Sequence, residues 1–399
     1  MSELSSEIIV DILYVLLLLV VATNVASAAY VLTAIHRVDG FKRRAGGSGI
    51  FRPPITVLKP ICGLDIGLYE NLRSLCRQDY PQYQVVFGIQ DAADPAVRVI
   101  ERLIGEFPET DITLIVDSSV AGANLKVSNL ENIYHAAKHD LILIADSDMR
   151  VDEKYLATVV APFEDSKVGA VTCLYKGTSA KGLPSLLASM FINEWFLPSV
   201  LVSAGLREIR FCLGATMAVR RHLFDMIGGF KTLARYLADD HMLGKLISAH
   251  GFKVALSGYI VENVVFEKSF KALFQHELRW ARTVRSVEPF GHAFSFIMYG
   301  VPLAFLGALM VDLTFDWDWF EAALIALAVS LRLWMHIVVR KKLGLPKDDR
   351  SPWLVPVRDV LSFVIWGASF FGRRIDWKDK KFAVDTDGLL VASEGLTPS

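Results

Sequence analysis

The sequence has few cysteines and almost no net charge. Its four cysteines, Cys62, Cys76, Cys173 and Cys212, lie far apart and form no C-x-x-C pair. This spacing argues against a disulfide framework or a zinc site and indicates reduced thiols in a cytosolic domain. The net charge of -1 gives no global basic field, so nothing favours a nucleic-acid partner. Internal repeats and low-complexity segments are also lacking.

Hydrophobic residues, by contrast, make up 53% of the 399-residue chain. That share is high for an ordinary soluble protein and low for a transporter built only of membrane spans. The excess is confined to a few stretches. The sequence therefore predicts a membrane protein with a separate soluble domain.

The first long apolar stretch covers residues 8–35, and about 20 apolar residues suffice to span a bilayer core. A cleaved signal peptide is the rival interpretation, but it would have a basic start and a shorter apolar core. Here the start is acidic and a basic cluster follows: Glu3, Glu7 and Asp11, then Arg37, Lys42, Arg43 and Arg44. Because Lys and Arg mark the cytoplasmic side, we predict an uncleaved anchor at residues 1–36, with the N-terminus outside.

The next region, residues 50–268, has the pattern of a soluble α/β domain. Apolar runs of strand length recur at residues 55–58, 84–89, 112–116, 141–145 and 168–173. Helix-like stretches separate the first four runs, at residues 67–77, 96–107 and 129–138. This alternation predicts βαβ units and a mostly parallel sheet. Such sheets bind ligands at the carboxyl ends of their strands, so the polar residues after each run are functional candidates.

Two apolar segments after the soluble domain each suit a membrane span, at residues 293–311 and 320–339. Residues 269–292, just before them, are predicted to form interfacial helices. The acidic link between the spans suits the outside, and the basic residues after the second span suit the cytosol. These residues are Asp312, Asp316 and Asp318 in the link, then Arg340, Lys341 and Lys342.

A third apolar segment, residues 353–371, contains Arg358 and Asp359 and is interrupted by Pro356 and Gly367. It is followed by further basic residues, so a simple span would put a basic end outside, against the charge rule. We therefore predict a re-entrant or interfacial hairpin within a membrane region of residues 293–375. In the tail, residues 376–399, the stretch 376–387 is expected to pack back onto the cytosolic domain.

The strongest local motif is Asp146-Ser-Asp148, which directly follows the apolar run 141–145. Within a strand the two side chains would point to opposite faces, but past its end the chain turns and they can converge. Two carboxylates facing a diphosphate can hold Mg²⁺ or Mn²⁺, which prefer oxygen ligands and leave positions open for phosphate. The alternative interpretation is a polar turn that caps the next helix.

Asp91 and Asp94 follow the second apolar run, at the same predicted edge of the sheet. They could accept hydrogen bonds from the base or ribose of a nucleotide, although Asp94-Pro95 could equally open the helix after it. Lys126 lies where a turn leads into a helix, a position that suits a diphosphate. The alternative for Lys126 is a solvated surface lysine.

Two further motifs lie closer to the C-terminal membrane segments. Asp239 and Asp240 are adjacent carboxylates, and one of them could remove a proton from an attacking hydroxyl. A helix start that favours acids is the alternative. Arg279 could bind a leaving diphosphate and Trp280 could wall an acceptor pocket. An interfacial helix with Arg and Trp at the headgroups fits the second motif equally well.

Taken in this order, the motifs resemble those of the inverting GT-A glycosyltransferases, and more closely those of the ceramide glucosyltransferase family, glycosyltransferase family 21. The resemblance extends from the N-terminal anchor to Arg373. The stretches that carry it are residues 58–63, 71–72, 79–81, 90–96, 146–148, 238–240 and 279–280. It implies a GT-A sheet at residues 50–268 that transfers a hexose from a UDP-sugar to a hydroxyl of a membrane lipid, with inversion.

The resemblance also implies roles for single residues. Asp91, Asp94 and Lys126 would contact the donor, while Asp146 and Asp148 would hold Mg²⁺ or Mn²⁺ with the diphosphate. Asp240 would be the general base, with Asp239 beside it. Arg279 and Trp280 would close the site over diphosphate and acceptor. His276 departs from the pattern, because related synthases have Gln or Arg three residues before the Arg-Trp pair.

A bacterial branch of the family, which adds N-acetylglucosamine to a hopanoid polyol, resembles the chain at least as well, through residues 193–199 and 276–280. The acceptor is therefore expected to be ceramide or a hopanoid. The expected location is a bacterial inner or plasma membrane, with several spans and a cytosolic catalytic domain. A processive polysaccharide synthase is a rival, but three spans are few for a channel. A scaffold protein would have no need of these motifs.

Overall fold

The computed structural model describes residues 2–42, 51–313, 318–345, 352–372, 374–377, 380–384 and 390–392. The chain divides into two compact units. The helical unit contains Met1–Lys42, Met190–Val202 and Phe274–Gly372, and the sheet unit contains Arg43–Ser189, Ser203–Leu273 and Arg373–Ser399. Arg43, Arg44, Asp316 and Arg373, which entered the sequence argument, lie outside the described residues.

The strands lie in the sheet unit. Eight of them are β1 (Ile55–Pro60), β2 (Tyr83–Ile89), β3 (Asp111–Val116), β4 (Leu141–Ala145), β5 (Met149–Arg150), β6 (Val168–Ser179), β7 (Thr216–Arg220) and β8 (Lys253–Val265). They form one sheet in the order β3-β2-β1-β4-β7-β6-β8-β5. In the tail, β9 (Arg374–Trp377), β10 (Lys380–Val384) and β11 (Leu390–Ala392) form a three-stranded antiparallel sheet.

The α-helices occur in both units. In chain order they are α1 (Ser2–Lys42), α2 (Leu68–Leu75), α3 (Ala96–Glu106), α4 (Leu125–Tyr134), α5 (Tyr155–Val160), α6 (Gly182–Phe191), α7 (Leu197–Leu206), α8 (Arg221–Met226), α9 (Gly229–Leu233), α10 (Asp239–Ala249), α11 (Phe270–Val287), α12 (Pro289–Phe294), α13 (Gly300–Asp312), α14 (Asp318–Leu343) and α15 (Leu354–Ser369). A π-helical turn, Ile192–Phe196, joins α6 to α7.

Both faces of the large sheet are covered, which explains why its central strands are apolar without alternation. Successive residues of a strand point to opposite faces. Val85 and Phe87 of β2 belong to the core beneath α2, α3 and α5, whereas Val86 belongs to the core beneath α4 and α8–α10. Strands β3, β2, β1 and β4 are mutually parallel, so their carboxyl ends share one edge.

The predicted α/β class is confirmed, and each of the five apolar runs lies in a strand. The sheet is mostly parallel, as predicted. Strand β7 runs antiparallel to β4 and β6, and the short β5 runs antiparallel to β8. The sequence analysis missed β7 and β8. β7 is short, and β8 contains the polar residues Ser257, Glu262 and Asn263, which break up its apolar pattern.

In the helical unit, length and composition identify helices that can cross a membrane. Asp11–Phe41 and Trp319–Leu343 qualify, in agreement with the predicted anchor and second C-terminal span. Gly182–Leu206 also qualifies, although its window is 72% buried. This stretch falls inside the predicted cytosolic domain, residues 50–268, but its part Met190–Val202 belongs to the helical unit.

Residues 293–311 are not one continuous helix, because Pro289–Met298 and Gly300–Asp312 meet at a bend of 71°. Such a bent pair is either a broken span or a re-entrant loop, so the span at residues 293–311 stays a prediction. The hairpin predicted at residues 353–371 is wrong, because α15 is continuous from Leu354 to Ser369. Pro356 lies in the first turn of α15, where a missing N–H removes no intrahelical hydrogen bond.

Candidate active site

The aspartate pair lies directly after β4, and separate elements hold its two members. Oδ2 of Asp148 accepts a hydrogen bond of 2.8 Å from Nδ2 of Asn263. Asn263 lies on β8, opposite Met149 of β5. Oδ1 of Asp146 lies 2.6 Å from Nζ of Lys126. The motif is therefore a fixed constellation, with each carboxylate oriented by a partner far away in sequence.

Lys126 lies in the first turn of α4 and connects two acidic groups. Asn124 caps this helix, since its side chain accepts a hydrogen bond from the N–H of Val127. Nζ of Lys126 is 2.6 Å from Asp146 and 3.8 Å from Oδ2 of Asp239. Burial would lower the pKa of Lys126, but Asp146 and Asp239 outweigh it and raise the pKa. Lys126 is therefore a firmly charged cation inside an acidic cluster.

Asp239 and Asp240 begin α10. Oδ2 of Asp240 accepts a 2.8 Å hydrogen bond from the N–H of Gly214. Oδ1 of Asp239 accepts one of 3.4 Å from Asn124. Burial raises the pKa of Asp239 to about 6, with Lys126 opposing and Asp240 adding to the rise. Burial likewise raises the pKa of Asp240. A carboxylate with a raised pKa, fixed by a backbone N–H, is suited to accept a proton.

Gly214 marks the point where the acidic motifs converge. A Cβ built on Gly214 would lie 3.3 Å from Oδ2 of Asp240, 3.5 Å from Oδ2 of Asp146 and 3.7 Å from Nζ of Lys126. One predicted metal ligand, Asp146, one predicted donor contact, Lys126, and the predicted general base, Asp240, therefore lie around one position. Sequence reasoning missed Gly214, because a glycine has no side chain to signal chemistry.

Lys59 of β1 is a second residue that the sequence analysis missed. Its side chain is 1% exposed, and burial lowers its pKa to about 8, against the opposing pull of Asp148 and Asp146. Burial, then the charge of Asp146, raises the pKa of Asp148 to about 6. The available signal was a lysine within an otherwise apolar strand, since lysine is rarely buried without a purpose.

Asp91 and Asp94 lie in the loop after β2, at the same edge of the sheet. Oδ2 of Asp94 accepts a hydrogen bond of 2.7 Å from the N–H of Gly63, in the loop after β1. Its Oδ1 accepts one of 2.8 Å from Ala96 at the start of α3. Oδ1 of Asp91 accepts one of 2.9 Å from Ala93. Asp94 thus joins two loops at this edge, and donor contacts by either residue remain a prediction.

Arg279 and Trp280 lie on α11, in the helical unit rather than in the sheet unit. The Trp280 ring lies 4.4 Å from the ring of His276, edge-on, and 6.5 Å from the ring of Phe191. His276, which departs from the expected pattern, is therefore an aromatic neighbour of Trp280. The roles of Arg279 and Trp280 at the reaction centre remain predictions.

The carboxylates after β4 are the candidate ligands for the expected divalent metal. Among the described residues, no group of three or more His, Cys, Asp or Glu side chains could hold a metal ion alone. Asp146 and Asp148 supply two hard oxygen donors at a sheet edge. Mg²⁺ is commonly bound by one or two carboxylates together with substrate phosphates. The residues fit a metal that shares its coordination with a bound diphosphate.

The sheet with its acidic edge defines a GT-A type of glycosyltransferase fold. Among solved structures, a mannosyltransferase from Pyrobaculum calidifontis, in complex with GDP-Man and Mn²⁺, superposes with a TM-score of 0.58. It is 17% identical in sequence, and the match covers 89% of this chain and 99% of that one. At this identity the likeness supports the fold alone.

The chain belongs to glycosyl transferase family 21, whose profile matches residues 18–390. It is similar to "Ceramide glucosyltransferase 3" of Caenorhabditis elegans, with 26% identity over 233 residues, 58% of this chain and 50% of that protein. A ceramide glucosyltransferase of Gibberella zeae is 22% identical over 453 residues, 86% of each chain. The match spans about half the length of the two Caenorhabditis elegans relatives.

Proposed function

We propose that this protein transfers a hexose from a UDP-sugar to a hydroxyl of a membrane lipid, with inversion at the anomeric carbon. One observation carries the proposal: Asp146, Asp240 and Lys126 converge on the space at Gly214. A proposed metal ligand, a cation and a proposed proton acceptor thus lie around one small space. Direct displacement requires the leaving diphosphate and the attacking hydroxyl to be held close together, and these groups would act on the two partners.

The donor would bind across the carboxyl ends of β1, β2 and β4. Asp91 and Asp94 would contact the nucleoside, and Lys126 would balance charge near the diphosphate. Asp146 and Asp148 would hold Mg²⁺ or Mn²⁺, which stabilises negative charge on the departing diphosphate. The hydrogen bond from Asn263 holds Asp148, and the ion pair with Lys126 holds Asp146, so both carboxylates are in place before the donor arrives.

Asp240 is the proposed general base. The N–H groups of Gly214 and His241 donate hydrogen bonds of 2.8 and 2.7 Å to its two oxygens, which fixes the carboxylate. It would accept the proton of the acceptor hydroxyl as that oxygen attacks the sugar. Asp239, tied to Lys126 and Asn124, would keep Lys126 oriented. Arg279 and Trp280 would close over the diphosphate and the acceptor.

A lipid acceptor is supported by the helices that can cross a membrane and by the relatives named ceramide glucosyltransferases. A protein held in the bilayer reaches a lipid hydroxyl without extracting the lipid into water. The proposed location is a bacterial inner or plasma membrane with the sheet unit in the cytosol. UDP-sugars are the proposed donors.

An activity screen of the purified full-length protein in detergent tests this function. UDP-glucose and UDP-N-acetylglucosamine are each paired with ceramide and with a hopanoid polyol, with Mn²⁺, with Mg²⁺ and with neither metal. Mass spectrometry should detect one lipid that carries a single hexose and forms only when a divalent metal is present. A growing saccharide would indicate a polymerase instead, and no donor turnover with any acceptor would contradict the proposal.

A further inference from the structure

A buried ion pair joins the helix that carries Arg279 and Trp280 to its neighbour α15. Glu277 of α11 pairs with Nη2 of Arg358, and their side chains are only 4% and 0% exposed. Removing two charges from water is costly, and apolar residues of similar volume often pack there at no loss of stability. A gain in stability alone therefore does not account for the pair, whereas a role in positioning α11 against α15 would.

Arg358 also contacts the aromatic neighbour of Trp280. Its guanidinium lies over the ring of Phe191, 5.1 Å from the centroid. The Phe191 ring in turn lies 6.5 Å from the Trp280 ring, tilted by 31°. Arg358 is thus connected to Trp280 by two routes. One is Glu277, which lies on the same helix as Trp280, and the other is Phe191, whose ring lies next to the Trp280 ring.

Two more contacts fix α11 along the end of α15. Nη2 of Arg282 donates a hydrogen bond of 2.6 Å to the carbonyl of Phe371, and Nη2 of Arg285 donates one of 2.8 Å to the carbonyl of Gly372. Together with the buried pair, these bonds connect α11 to the first half of α15 and to the residues just after its end. The segment between them contains Arg279 and Trp280.

We propose that Arg358 is a positioning residue, which sets the orientation of the Trp280 ring through Glu277 and Phe191. This inference rests on the proposed function, which places Trp280 beside the acceptor. In this proposal Arg358 acts through its neighbours and not on the substrates. Its charge holds Glu277, and its planar guanidinium holds Phe191, so that Trp280 is presented in one orientation.

The test compares variants of the full-length protein. Arg358→Met leaves Glu277 buried without its partner and is expected to unfold the helical unit, which is why it is not the main test. Glu277→Met/Arg358→Met removes both charges and should fold. Phe191→Leu removes only the ring that bridges Arg358 and Trp280. Lys342→Gln, which breaks the more exposed pair with Asp39, is the control.

The first readout is independent of activity: the ¹⁹F resonance of Trp280 in protein labelled with 5-fluorotryptophan, assigned with Trp280→Phe. The double variant and Phe191→Leu should both shift or broaden this resonance, while Lys342→Gln leaves it unchanged. An unchanged Trp280 resonance in the folded double variant would overturn the proposal, whatever Phe191→Leu shows. If the double variant does not fold, Arg358→Lys decides, since it keeps a charge beside Glu277 but removes the planar guanidinium over Phe191.

The second readout separates positioning from general structural damage. Once a lipid acceptor is known, the KM for that lipid should rise roughly tenfold in the double variant, since small misplacements carry large kinetic costs. The KM for the UDP-sugar should stay unchanged. Equal losses for donor and acceptor would overturn the positioning role. If the wild type glycosylates no lipid, the proposed function fails, and the ¹⁹F result still decides whether Arg358 orients Trp280.

Discussion

Nζ of Lys126 lies 2.6 Å from Oδ1 of Asp146, which places a half-buried cation against the first carboxylate of the predicted metal site. Lys126 therefore balances an acidic cluster that would otherwise repel itself. When a donor enters with its metal, the same lysine is available to the diphosphate. Removing the charge of Lys126 should therefore mainly weaken the affinity for the donor.

Lys126→Met should raise the KM for the UDP-sugar about tenfold to a hundredfold, the usual loss for a charged hydrogen bond. It should also lower the melting temperature, because Asp146, Asp239 and Asp240 lose their shared cation. Lys138→Met is the matched control, since Lys138 pairs with Asp111 in a more exposed position. Similar donor KM values in both variants would contradict the assignment of Lys126.

Asp240→Asn should abolish transfer while leaving donor binding nearly intact, because asparagine preserves the shape but cannot accept the proton. A loss of roughly 10²- to 10⁴-fold in kcat is typical for a general base. Steady-state rates and isothermal titration with the UDP-sugar measure the two properties. Asp152→Asn, at an exposed position, is the control. Turnover like that of the wild type would remove Asp240 from the mechanism.

Gly214→Ala should reduce activity sharply without unfolding the protein. The added Cβ would lie 3.3 Å from the Asp240 carboxylate and 3.7 Å from Lys126, so it occupies the space proposed for the reacting groups. Gly105→Ala places its Cβ in open space on α3 and should leave activity unchanged. Equal rates for both alanine variants would show that the space at Gly214 is not used.

The transfer rate should fall as the pH drops. Burial raises the pKa of Asp240, and only its deprotonated form accepts a proton, so the active fraction is lost as the pH falls through that pKa. An essential protonated group would give the opposite dependence, with a rate that falls as the pH rises. A pH profile of kcat/KM with saturating Mn²⁺ checks it. A rate that rises toward acid pH would contradict a carboxylate base.

Much of this site follows from the sequence, because the chemistry lies in short motifs placed directly after apolar runs. Asp146 and Asp148 directly follow an apolar run, and Asp239 and Asp240 are adjacent carboxylates. Lys59 gives only the weaker signal of a lysine inside an apolar run, and Gly214 gives none, since its importance depends on what approaches it in space. The pairing of Asp148 with Asn263 could not be inferred, because β8 was not recognised as a strand. The hairpin predicted at residues 353–371 is wrong because the charge rule and the interruptions at Pro356 and Gly367 do not prevent a continuous helix: Pro356 lies in the first turn of α15, and Gly367 lies within it.

The most direct test of the mechanism is the anomeric configuration of the product, determined by NMR on the purified glycolipid. The donor sugar is α-linked in UDP-glucose and in UDP-N-acetylglucosamine. A single displacement with Asp240 as base predicts a β-linked sugar on the lipid from the wild type, and none from Asp240→Asn. An α-linked product would contradict direct displacement and require a different role for Asp240.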